Sequence, residues 1–415
     1  MNFQAVTLNR LKIAMLNFVI VAFLGCLLRY YFYSPFTGFI YPYTLHAHSH
    51  LAFLGWVFMA LYALLLEAFL PEEQISSKRY SIFFLVLQVA NMGMLFTFPF
   101  TGYALWSIVF STVHSVISIV FAILFIKTGS RYLKPGLKIP FMFVKWALIL
   151  MIISNLGPFA LGPIMAKGLG QTDIYYIVIY FYLHFQYNGW FTFAVIGLLL
   201  VFLQQQRVNI EVREISVSLR LKLIAIFPAF ILSTLWLKDG LVWNISGGIG
   251  GAIQLAGVSF LMAVVIKDKA LVFRKIPGVA KLLLSSGLIA MVAQHLLQFL
   301  SSFPVLGQFA FQQRNVIISY LHLVLIGFVT SLILFYMIYW GFFKASRLVS
   351  IGFVLFLVSF LLTEGVLLFQ SQISNSSAYL FVLAAVQFGS LLLLLFNMES
   401  SKKFLNKKSK IWDLL

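Results

Sequence analysis

The sequence predicts an all-α polytopic membrane protein with twelve transmembrane helices. Hydrophobic residues make up 62% of the 415 residues and charged residues only 10%, a balance typical of membrane proteins and not of soluble domains. The apolar residues form continuous runs of about 20, the length that crosses a bilayer as a helix. Because these runs do not alternate with polar residues, the pattern excludes a transmembrane β-barrel.

The predicted spans are numbered 1 to 12 along the chain. Each is an apolar run bounded by polar or charged residues. In order they cover 11–31, 48–70, 80–101, 104–126, 141–163, 175–203, 222–238, 246–266, 278–302, 315–341, 349–370 and 377–397.

The basic residues behind the net charge of +18 are concentrated in alternate loops. This distribution indicates membrane topology and argues against a nucleic-acid partner. Of the 29 Lys and Arg residues, 24 fall in alternate loops, and one such loop carries Arg207, Arg213, Arg220 and Lys222. By the positive-inside rule these loops and both termini are cytoplasmic. We therefore expect a multi-pass protein of the cell (inner) membrane, with the lipid bilayer as its partner. No cleavable signal peptide is evident, and Cys26 is the single cysteine.

A histidine motif recurs three times inside apolar runs. The intervals of 134 and 138 residues are close to a third of the chain. This period predicts three pseudo-symmetric blocks of four spans, about 1–135, 136–275 and 276–415, within a single membrane domain. The motif, His-x4-Gly-[Trp/Phe], begins at His50, His184 and His322, which lie on the second span of each block.

The start of span 2 is a candidate ligand cluster. His46, His48 and His50 occur together, and His46 and His50 share one helix face while His48 points away. Neutral imidazole is a usual ligand of haem iron, copper and zinc, so at least one of the three is expected to bind a metal or haem. The repeat favours His50, whereas a second register, Leu-His, favours His46. The alternative is a hydrated interfacial loop in which these histidines bind nothing.

His184 and His322 are the other two repeated histidines. With threefold block symmetry, spans 2, 6 and 10 would line a common interior, where histidines can hold a haem from one side or both. The alternative is that both are buried and hydrogen-bonded to Tyr, Asn or backbone carbonyls. The glycine of each motif, five residues on, is about 140° around an α-helix from its histidine, so we interpret it as a close-packing site.

Five further polar residues in or near spans are candidates. His114 is expected to be satisfied by a stripe of neighbouring Ser and Thr hydroxyls, and His295 is an equally balanced metal-ligand candidate. Glu364 is a proton-relay candidate, because carboxylates within a membrane are costly. Arg29 and Arg314 are candidate partners of haem propionates.

The layout of spans and histidines resembles subunit I of the haem–copper oxidase superfamily, which includes nitric oxide reductases. The His-Ala-His at the start of span 2 is also similar to the twelve-span haem- and copper-containing proteins of nitric-oxide stress. This resemblance implies that His50 (or His46) and His322 are axial ligands of a haem, most simply of b type. It further implies that His184 matches a copper ligand, so copper or another metal is an expected cofactor, and an electron-donor cytochrome or partner subunit is an expected partner.

The chain departs from that family at span 7. Residues 219–237 contain no histidine, whereas the family places a copper-binding pair there. A standard copper site therefore cannot be built, and oxidoreductase activity is left open. The first expected function is a haem protein in electron transfer or O2 and NO handling. The alternatives are a histidine-dependent transporter of metal ions or protons, and a non-catalytic assembly or sensor subunit that binds the same haem.

Overall fold

The computed structural model describes residues 3–237 and 240–399. Within these ranges the regular structure is helical, apart from one isolated β-bridge between Phe343 and Met398. The described residues contain twelve helices long and apolar enough to cross a membrane, which confirms the predicted fold class.

The spans keep the predicted order, and their bounds are as follows. They run Ala5–Tyr33, Tyr41–Phe69, Glu72–Thr101, Leu105–Tyr132, Pro135–Ala166, Asp173–Gln205, Val212–Thr234, Leu241–Lys267, Gly278–Leu300, Arg314–Tyr339, Arg347–Leu368 and Ser376–Phe396. A short helix, Pro304–Gln312, lies between spans 9 and 10.

Contacts divide the chain into two compact units whose limits do not follow the three predicted blocks. Unit 1 comprises Met1–Tyr132, Pro277–Ala280 and Ile333–Leu415. In it, span 1 packs against spans 2 and 12, span 3 packs against spans 2 and 4, and span 11 packs against span 12. Unit 2 comprises Leu133–Ile276 and Lys281–Leu332.

Unit 2 is built around two helix pairs. Span 5 packs against span 6, and span 7 packs against span 8. Glycines of span 8 allow the second pair to approach closely, since a Cβ at Gly250 would lie 2.5 Å from the backbone nitrogen of Ala229. Span 6 also contacts the part of span 10 that belongs to this unit.

The three spans that carry the histidine motif are the most buried. The buried share of the most apolar window is 94% for span 2, 100% for span 6 and 67% for span 10, against at most 50% for every other span. These are the helices whose side chains meet protein instead of lipid. Polar groups on them therefore need protein partners or a ligand.

Two span boundaries differ from the sequence-based prediction in ways that matter for function. Span 2 begins at Tyr41, with Pro42 in its first turn, where proline is favourable, so His46, His48 and His50 are helical and do not lie in a loop. Span 7 begins at Val212. Lys222, predicted as the first residue of span 7 and grouped with the basic loop before it, is therefore well inside the span and 0% exposed.

Candidate functional site: three histidine-capped π-helices and a buried polar network

Each copy of the histidine motif forms a π-helical segment. The segments are Leu51–Phe58, Phe185–Phe191 and Leu323–Thr330, directly preceded by His50, His184 and His322. π-Helices are rare and occur frequently at functional sites. Their recurrence shows that the sequence repeat is also a structural repeat, at the level of three spans.

The π-helix changes the expected position of the motif glycine. Hydrogen bonds in a π-helix join residues five apart, so residues i and i+5 lie on the same side of the helix. The α-helical estimate of 140° between histidine and glycine was therefore wrong. The close-packing role is confirmed at Gly189, where a Cβ would lie 3.0 Å from Leu150 Cβ of span 5.

The three histidines lie at similar depths in their spans. His50 is the tenth residue of span 2, His184 the twelfth of span 6 and His322 the ninth of span 10. Each π-helix starts immediately after one of these residues. His50, and not His46, is therefore the structural equivalent of the other two.

The two ring nitrogens of His50 have different surroundings. Its Nδ1 donates a hydrogen bond to the His46 carbonyl at 2.9 Å, while its Nε2 makes only a long contact of 3.5 Å with the Tyr103 hydroxyl. Phe98 and Tyr103 flank the ring, with centroids 4.5 and 5.9 Å away. A backbone bond at Nδ1 fixes the tautomer and leaves Nε2 as the acceptor atom, as in metal-bound histidines.

His46 and His48 have different surroundings. The His46 ring stands edge-on to Tyr103 at 4.7 Å. His48 Nδ1 is 3.0 Å from the Val21 carbonyl, and its ring packs against Gly25 of span 1. His48 therefore joins spans 1 and 2, which agrees with its predicted direction away from the other two.

His114 is not satisfied by the hydroxyl stripe of span 4, contrary to prediction. Ser111 and Ser118 donate to carbonyls of their own helix, a bond that short hydroxyl side chains reach more easily. The His114 ring bonds the Leu54 carbonyl and stands edge-on to Phe58 at 5.1 Å. Its Nε2 is buried and has no hydrogen-bond partner among the described residues.

Two of the predicted charged residues lie near each other in unit 1. Arg29, near the end of span 1, is within electrostatic reach of Glu364, near the end of span 11. Each thus compensates part of the charge of the other. Arg314 is the first residue of span 10 and is exposed.

His184 is bonded at both ring nitrogens. Its Nε2 donates to the Ile226 carbonyl of span 7 at 2.8 Å, and its Nδ1 accepts from Asn188 at 3.1 Å. Asn188 in turn accepts from Gln294 of span 9 at 2.8 Å. This geometry matches the predicted alternative, a buried histidine hydrogen-bonded to Asn and a carbonyl. It offers no open nitrogen for the copper role that the resemblance implies.

A buried lysine lies in the same unit. Lys222 Nζ donates to Gln254 Oε1 at 2.9 Å and to His295 Nε2 at 2.8 Å, and it lies 5.6 Å from the centre of the Phe193 ring. His295 Nδ1 donates to the Met291 carbonyl at 2.8 Å, so both His295 nitrogens are also engaged. No carboxylate among the described side chains forms an ion pair with Lys222.

Sequence reasoning missed Lys222 and Gln254. Apolar residues surround Lys222 in Leu-Lys-Leu-Ile-Ala-Ile, a pattern that fits a span boundary as well as a span interior. The positive-inside argument assigned it to a loop, since Arg220 precedes it closely. Glu67, a carboxyl side chain inside span 2, was also missed. It is 2% exposed and accepts a hydrogen bond from Thr7 at 2.7 Å.

Comparisons with known proteins do not assign a family. No protein-family model matches the chain, and no curated protein is significantly similar to it. The described residues contain no cluster of three or more His, Cys, Asp or Glu arranged to hold a metal ion. Functional inference therefore depends on the geometry of the individual residues.

Proposed function

We propose that this chain is a haem-binding integral membrane protein in electron transfer or in the handling of a diatomic gas such as O2 or NO. The observation that carries the proposal is His50. Its ring is held through Nδ1, its Nε2 is available, and it immediately precedes a π-helix in one of the three most buried spans.

Two features beside His50 support the proposal of haem binding. Neutral imidazole Nε2 is the usual protein ligand of haem iron, and the aromatic rings of Phe98 and Tyr103 beside His50 offer the apolar surface that a porphyrin requires. His322 of unit 2 occupies the same place before the π-helix of span 10, so it remains a candidate ligand in its own right. A bound haem would supply a redox-active iron that can also bind a diatomic gas.

His184 and His295 have no part in this proposal, because hydrogen bonds occupy both nitrogens of each ring. Arg29 remains a candidate partner of a haem propionate. Glu364 would then interact electrostatically with the same guanidinium group. An electron-donor cytochrome or partner subunit is part of the same proposal.

The test is a reduced-minus-oxidised absorption spectrum of the detergent-purified protein, expressed in a haem-replete host. We expect a b-type α band in the wild type and its loss in His50→Ala, with the same loss in His322→Ala if both ligate. His48→Ala is the matched control, because it removes a neighbouring imidazole that packs on span 1, and it should retain the band. A folded wild type without haem would leave the transporter of metal ions or protons as the alternative.

A further inference from the structure

Lys222 of unit 2 is a buried amine in the middle of a membrane span. It is the eleventh residue of span 7, and its hydrogen-bond acceptors are neutral side chains of spans 8 and 9. A lysine in this position is costly, and ionisable residues within membrane spans commonly mark ion pathways and proton relays. Its direct contact with an imidazole nitrogen joins two groups that both exchange protons.

Polar side chains continue from His295 toward the C-terminal end of span 9. Gln294, His295 and Gln298 are buried on neighbouring positions, and Ser301 follows one turn later. The Oε1 atoms of Gln294 and Gln298 are buried, and neither has a hydrogen-bond partner among the described residues. Buried polar atoms without protein partners commonly bind ordered water.

A cavity lies at the end of this stripe. It has a volume of about 180 Å³, enough for a group of water molecules. Ser301, three residues after Gln298, lines it, and Ser301 Oγ donates to the Gln298 backbone carbonyl at 2.7 Å. Its other polar lining residues are Trp236, Asn244, Gln308 and Gln312.

Spans 7 and 8 pack closely on both sides of Lys222. One turn earlier in span 7, Ser218 donates to the Gly257 carbonyl at 2.6 Å, and a Cβ at Gly257 would lie 2.8 Å from Lys222 Cγ. Two turns later, a Cβ at Gly250 would lie 2.5 Å from the Ala229 nitrogen. The space between these two helices therefore leaves no room for water, and the polar side chains of span 9 are the remaining route to the amine.

We propose that Lys222 and His295 form a proton-binding pair that exchanges protons with one membrane face, through the side chains of span 9 and the adjoining cavity. The distribution of basic residues predicts that this face is external. The pair holds one excess proton, because two adjacent cations would repel each other in a low-dielectric interior.

In the charged state Nζ carries three protons and donates two of them, to Gln254 Oε1 and to His295 Nε2. Release of the third proton to water, as hydronium, leaves a neutral amine that can keep both of these hydrogen bonds while the imidazole stays neutral. Among the described residues His295 is the titratable side chain in contact with Lys222, whereas span 8 contributes Gln254 and span 6 contributes Phe193. His184 is engaged one turn further along, at the Ile226 carbonyl.

Access is tested first, by cysteine labelling of the detergent-purified full chain in a Cys26→Ser background. A small hydrophilic thiol reagent should modify Gln298→Cys about tenfold or more faster than Leu297→Cys, because a thiol forms its reactive thiolate only in contact with water. Leu297 is the matched control, since it has the same depth and is 45% exposed on the outer surface of the helix. Equal rates would overturn the proposed path.

Proton binding is tested second, by potentiometric titration of the wild type and the Lys222→Met/His295→Gln double variant. Between about pH 5 and about pH 9 the wild type should release about one proton more per chain than the double variant, because the pair titrates as a unit. Identical proton release would show that the lysine keeps one charge state, and it would overturn the proposal. Neither measurement depends on haem, so both results stand apart from the spectrum that tests the proposed function.

Discussion

Two histidines of the same motif have opposite hydrogen-bonding states. His50 keeps Nε2 for a ligand, whereas both nitrogens of His184 are bonded to protein. The difference lies in what faces Nε2: the Ile226 carbonyl of span 7 accepts from His184 Nε2 at 2.8 Å, whereas the Tyr103 hydroxyl lies 3.5 Å from His50 Nε2. Ligand capacity within a repeat thus depends on the helix packed against each histidine.

The role of Asn188 leads to a prediction about stability. Asn188→Leu should lower the free energy of unfolding by about 1–3 kcal/mol, because it leaves a ring nitrogen of His184 and an amide proton of Gln294 buried without partners. The measurement is equilibrium unfolding in detergent. Asn155→Leu is the matched control, since Asn155 is also buried but bonds only the Met151 carbonyl of the preceding turn. An equal loss in both variants would contradict the proposed linking role of Asn188.

At the scale of elements, the pairing of spans 7 and 8 depends on glycine. Gly247, Gly250 and Gly257 lie on the face of span 8 that meets span 7, and a Cβ at Gly250 would be within 3 Å of the Pro228 and Ala229 backbone. Backbone cannot move aside as a flexible side chain can. The packing of span 7 against span 8, beside Lys222, is therefore sensitive to the addition of a single methyl group.

We predict that Gly250→Ala lowers the unfolding free energy by about 1–3 kcal/mol, despite the higher helix propensity of alanine, because the added methyl group overpacks the seam. Gly162→Ala is the control, since a Cβ there meets no atom within 4 Å. Thermal unfolding in detergent would measure both. A Gly250→Ala variant as stable as the control would mean that the two helices can separate at little cost.

At the scale of the whole molecule, the charge distribution remains a prediction about orientation. It places the loop at Ser346 in the cytoplasm and the loop at Gln312 outside. Both residues are exposed at the ends of spans, so both are accessible to labelling. The structure itself contains no membrane and leaves the sides unassigned.

In a Cys26→Ser background, an impermeant thiol reagent added to intact cells should label Gln312→Cys and leave Ser346→Cys unlabelled until the cells are permeabilised. The two variants control each other, because both thiols are exposed and water-accessible. The reverse pattern would invert the topology. It would also move the predicted external end of the span 9 path to the cytoplasm.

Composition and run length determined the fold class and the order of twelve spans, because a helix must cross about 30 Å of hydrocarbon with its backbone bonded internally. The spacing of the motif also identified His50, His184 and His322 as equivalent positions. These are local properties of the chain. They depend on each segment's own length, apolarity and residue pattern.

Only the tertiary structure decided what those polar groups contact. The π-helices placed each motif glycine on the side of its histidine, Asn188 engaged His184, and spans 8 and 9 supplied the acceptors that enclose Lys222. A linear pattern cannot distinguish a lysine at a span boundary from one inside the span, since both follow basic residues and precede apolar ones. The distinction depends on which helices pack around the side chain and on whether they offer hydrogen-bond partners in place of water.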